Sequence, residues 1–275
     1  MKKSKWFPIL SASALALSLY SPAASAAPVE ELPSLGAWDE DRYGERIDID
    51  QELNRLTNDE AFQKEAEQRI KDQAGSLNDE TADGGEDAKA SEHFTYDGGT
   101  KQFLNRNLKF KDFTLRSVGD NVEIWVANDL AYGPNNPKPA DIVTQAQVDK
   151  LKDEFDSNIY PVATDFFGTP DSLDGSNSPL PGMVGLPEGY YEGSDKVIML
   201  VDNVQDEGWN NPSYPFFVAG FFWQTLENYT DRNIITIDTN SWETRLESTF
   251  FGTTIHELQH LIQADNDGAE ETWLN

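Results

Sequence analysis

The chain has 275 residues, enough for one or two domains with a substantial core. Its 21 basic and 49 acidic residues leave a net charge of −28, which makes nucleic acid and anionic membranes poor partners and makes carboxylate clusters candidate Ca²⁺ sites. It has no cysteine, so disulfides, thiolate catalysis and thiolate–zinc sites are excluded.

Residues 1–26 read as a secretory signal peptide. Lys2, Lys3 and Lys5 form a basic start, "WFPILSASALALSLY" an apolar run, and Ala24-Ser25-Ala26 a small-x-small cleavage site. The run is short for a membrane span and carries several serines, so a secreted, extracellular product is expected, with no membrane partner after cleavage. Removing three lysines and no acid gives 18 − 49 = −31 for that product. Residues 27–92 are acidic and poor in bulky apolar side chains, as in a propeptide or linker that is partly disordered. Within them, 56–73 has the pattern of a helix, with Asn58 or Asp59 as its cap.

From residue 93 the pattern is that of a folded domain running to 275. "NVEIWVAND" (121–129) predicts a strand. Residues 144–160 predict a helix capped by Thr144, with Val148, Leu151, Phe155 and Ile159 as its apolar stripe. A long loop follows at 170–189, where Asp171, Asp174 and Asn177 form a solvated turn more readily than a Ca²⁺ loop. Strands are expected at 195–204 and 232–240, flanking an aromatic loop or edge strand at 211–224. Asp202 and Asn203 read as a loop cap at a strand end, and His93 as an ordinary histidine. The last predicted helix spans 247–265.

That helix carries His256-Glu257-Leu258-Gln259-His260. The i, i+4 spacing places both imidazoles on one helix face, where two nitrogens can share one Zn²⁺ at about 2 Å each. Glu257 lies beside His256, placed to take a proton from water as general base without ligating the metal. Phe251, Ile255, Leu258 and Ile262 supply the helix's core stripe, and Gly252 stands one turn ahead of His256, where a small residue would let substrate or the sheet approach.

Zinc also needs a third protein ligand. Asn266 and Gln263 stand where one group of zinc peptidases has its third histidine and a glycine, so that pattern fails. Asp265 and Asp267 follow the helix end too closely to return to the metal without strain. Glu270 and Glu271 are less constrained.

The stretch "TTIHELQHLIQADNDGAEETWLN" resembles secreted bacterial zinc metallopeptidases with His-Glu-x-x-His followed by Trp-Leu-Asn-Glu-Gly, of the immune inhibitor A or hyicolysin type. "VGDNVEIWVAND" and "DEFDSNIYPVATDFFGTP" resemble the first half of their catalytic domain, and the likeness covers 93–275. It implies an α+β zincin upper lobe: a mixed twisted sheet with helices and an active-site helix. It also implies a secreted, monomeric, zinc-dependent endopeptidase acting on extracellular proteins or peptides, with His256 and His260 as metal ligands and Glu257 as catalytic base. The third ligand would be a Glu just beyond Asn275, so the chain reads as lacking its C-terminal lobe and, in this form, its activity. The rival expectation is a catalytically dead secreted binding or structural module derived from such an enzyme.

Overall fold

The structure, a computed structural model, describes residues 49–74, 99–214 and 216–267. The signal segment, most of 27–92, His93, Glu270 and Glu271 lie outside the described residues.

Six strands form one mixed sheet in the order β1-β2-β3-β4-β6-β5. They are β1 (Thr100–Leu104), β2 (Phe110–Val118), β3 (Val122–Ala127), β4 (Val197–Asp202), β5 (Gly220–Phe222) and β6 (Ile234–Asp238). β1, β2 and β3 pair antiparallel, β3, β4 and β6 run parallel, and β5 returns antiparallel along β6. Antiparallel neighbours need only short turns, whereas the parallel pairs need crossovers, and helices supply them.

Both faces of the sheet are covered, so its central strands are apolar on both sides. In β4, Ile198 and Leu200 point into one core while Val197, Met199 and Val201 point into the other. The first core contains Leu53, Leu56, Ala66 and Ile70 from α1 (Ile49–Thr57) and α2 (Glu60–Asp72), with Leu180, Trp223 and Leu226. The helix expected within 56–73, with Asn58 or Asp59 as its cap, is α2, while Leu56 and Thr57 end α1; both helices join the sheet's core. They are split at Asp59, whose side chain caps α2 by accepting from Ala61 and Phe62 N–H.

The second core is built on α3 (Gln145–Glu154), a π-helical turn (Phe155–Ile159) and α4 (Tyr160–Phe167). Thr144 caps α3 in a capping box with Gln147, and Val148, Leu151, Phe155 and Ile159 are buried as their spacing predicts. The π turn presents Asp156 to the β2–β3 turn, where its carboxylate accepts from Asp120 and Asn121 N–H. The Gly119 α-carbon lies so near that carboxylate that a Cβ would sit 2.0 Å from Asp156 Oδ2.

The loop expected at 170–189 contains a short helix, α5 (Leu180–Val184). Asp174 pairs with Arg232 in an isolated bridge and accepts from Ser176 N–H, which is turn chemistry. α6 (Glu207–Asn210), α7 (Gln224–Thr230) and α8 (Trp242–Leu246) complete the connections. The final helix, α9 (Phe250–Asp267), packs in the second core against α4, β5 and β6. Among the described residues, no helix is long and apolar enough to cross a membrane.

Candidate metal centre on the last helix

α9 is anchored by Phe250, Leu258, Leu261 and Ile262, all fully buried. This stripe is rotated from the expected one: Leu258 and Ile262 belong to it, while Phe251 and Ile255 are only half-buried. The rotation turns Glu257 and His260 inward, each 3 % exposed, and leaves His256 on the surface.

The two imidazoles converge. His256 Nε2 and His260 Nε2 lie 3.0 Å apart, with the ring planes at 89°. Two nitrogens held about 2.0–2.1 Å from one zinc at a tetrahedral angle are separated by roughly 3.3 Å, so the pair fits a shared zinc with little adjustment. Glu257 follows His256 in the chain, and its Oε2 is buried.

Of the two approaches that Gly252 would admit, substrate or sheet, the sheet does not come near at that position. Around Gly252 a Cβ would meet nothing within 4 Å among the described residues. The close neighbour is Gly220 of β5. A Cβ there would meet Thr253 Cγ2 at 2.9 Å, Thr236 O at 3.0 Å and Ile237 Cδ1 at 3.1 Å. Thr253 lies one turn before His256, so Gly220 sets how near the motif's helix comes to the edge strand. The chemical cue was present, since a glycine inside a strand pattern marks close backbone approach.

The other carboxylates weighed for zinc are placed differently. α9 continues through Asp267, two residues past the expected end, and Asp265 accepts from Asp171 N–H at 2.9 Å in the 170–178 loop. Burial pushes the Asp265 carboxyl up to about 6, and the charge of Asp171 adds to this. Asp202 pairs with Lys111 at 2.5 Å, while Asn203 donates to Leu130 O, which is the loop-capping role read for this pair. Among the described residues, no group of three or more His, Asp or Glu side chains has the geometry to hold a metal ion.

One buried acid near this helix gave no sequence signal. Glu227 of α7 is 4 % exposed, and its carboxyl accepts from Ile234 N–H. Burial raises its pKa well above the ordinary range, and the charges of Asp265 and Asp171 raise it further. Comparison with known proteins finds no matching family model and no matching curated protein.

Proposed function

We propose that α9 carries the metal site of a secreted zinc-dependent endopeptidase of zincin type, and that the sheet above it is that fold's upper lobe. The observation that carries this reading is the convergence of His256 Nε2 and His260 Nε2 to 3.0 Å, with Glu257 between them in the chain. The substrate class is protein or peptide. The third ligand is to be sought outside the described residues.

A zinc ion held by the two imidazoles would supply Lewis-acid chemistry, lowering the pKa of water toward neutrality and polarising a carbonyl. The chain's own groups divide the remaining work. His260, buried in the helix's packed side, fixes the position of the pair, and His256 completes it from the solvent side. The Glu257 carboxylate takes a proton from the attacking water and returns it to the leaving amine nitrogen.

In an active form that continues past Asn275 with a third ligand, Glu257→Gln should keep zinc and lose at least about 100-fold in peptide cleavage, the usual range for a positioned acid–base group. His260→Ala should lose the zinc itself. Zinc content by elemental analysis and casein cleavage, with and without a chelator, read both effects in one series. Near-parental cleavage in Glu257→Gln would overturn the assigned role. Zinc retained unchanged in His260→Ala would overturn the site.

A further inference from the structure

The sheet has a polar recess at one end of its strands. It lies where β1 turns into β2 and where β3 and β4 end. Crevices outside the carboxyl ends of parallel strands are favoured ligand sites. Its volume is about 380 Å³, within the range that holds small molecules.

The walls are polar and their orientation is fixed. Asn105 Oδ1 accepts from Asn107 and Lys109 N–H, Asn128 Oδ1 accepts from Thr114 Oγ1, and Gln205 Oε1 accepts from Asn107 Nδ2. Each of these three amides is therefore held by its oxygen, with no further hydrogen bond to its NH₂ group among the described residues. Asp112 and Asp129 add carboxylates, and Asp129 uses one oxygen on Ala131 N–H. Lys111 also lines the recess but is neutralised by Asp202, whose side chain is 3 % exposed. Gln102 is 7 % exposed, and its Oε1 has no partner among the described residues. The half-buried Phe110 ring provides one apolar surface.

We propose that this recess binds a neutral mono- or disaccharide. An apolar ligand would leave the buried Gln102 and Asn105 amides without new partners, a cost of about 1–3 kcal/mol for each group left unsatisfied. An anion would meet two carboxylates, Asp112 and Asp129, against one lysine besides the paired Lys111, Lys109, as well as the chain's overall charge of −28. A hydroxyl both donates and accepts. A polyol therefore satisfies amide NH₂ groups and carboxylates that alternate around one cavity, and its apolar ring face can lie on Phe110. This site is independent of zinc. β1 and β5 are opposite ends of the strand order, and the recess lies beside β1 and β2.

The test is isothermal titration of the full chain with glucose, galactose, N-acetylglucosamine and their common disaccharides, run beside glycylglycine and inorganic phosphate. Saturable binding of a saccharide is expected, weakened about tenfold by Asp112→Ala and by Gln205→Ala, the loss appropriate to one or two hydrogen bonds. The side-chain amide resonances of Asn105, Asn128 and Gln205 should shift on binding in the unmodified chain, a readout that needs no variant. Three results would overturn the proposal: no saturable saccharide binding, amide resonances that stay fixed, or glycylglycine or phosphate taking the recess in preference.

Discussion

Glu227 shows how burial sets the chemistry of one side chain. Its carboxyl lies in the core with Oε1 unpartnered among the described residues, and the charges of Asp265 and Asp171 oppose its ionisation. The folded-state pKa is therefore above the unfolded value, and the group favours the folded state most at low pH. That contribution is lost as pH rises from the ordinary carboxylate range through the folded pKa, at about 1.4 kcal/mol per pH unit. Glu227→Gln cannot titrate. Denaturant unfolding from mildly acidic to alkaline pH should show the variant gaining on the parent as pH rises. Parallel stability curves would rule the effect out. Nothing in "FWQTLENYT" announces this residue, because its burial comes from elements far away in the chain. The approach of the His256 and His260 rings was legible for the opposite reason: one helix fixes it, and periodicity alone brings the two rings together.

Elements were legible where local pattern and packing agree. The capping box at Thr144 and the four-residue stripe of α3 and the π turn are local, and the structure keeps both. β3, β4 and β6 are apolar on both faces, which marks buried strands without telling their neighbours. β1 carries Lys101 and Gln102 at buried positions, so its strand character is hidden by side chains that the tertiary environment accommodates. The sheet approaches α9 at Gly220 and not at Gly252, and this gives a paired expectation. Gly220→Ala should cost about 1–3 kcal/mol, because β5 and α9 must part to admit a methyl group. Gly252→Ala should instead stabilise by about 0.5–1 kcal/mol, since a helical alanine is favoured and no described atom opposes it. Urea unfolding of the two variants measures both; equal effects would mean that Gly220 does not set the helix–sheet distance.

At the scale of the whole molecule, one mixed sheet separates two chemistries. α9 brings paired imidazoles to the β5–β6 end, and the β1–β2 hairpin forms a polar recess toward the other. The mixed α/β architecture follows from the alternation of apolar runs and turns, while the order of strands depended on crossovers that no local pattern encodes. The zinc site is the central claim, and X-ray absorption at the zinc edge tests it most directly on the purified chain loaded with stoichiometric zinc. Two imidazole nitrogens at about 2.0–2.1 Å are expected, with the zinc itself lost in His256→Ala. A spectrum without imidazole scattering, or one left unchanged by His256→Ala, would contradict it.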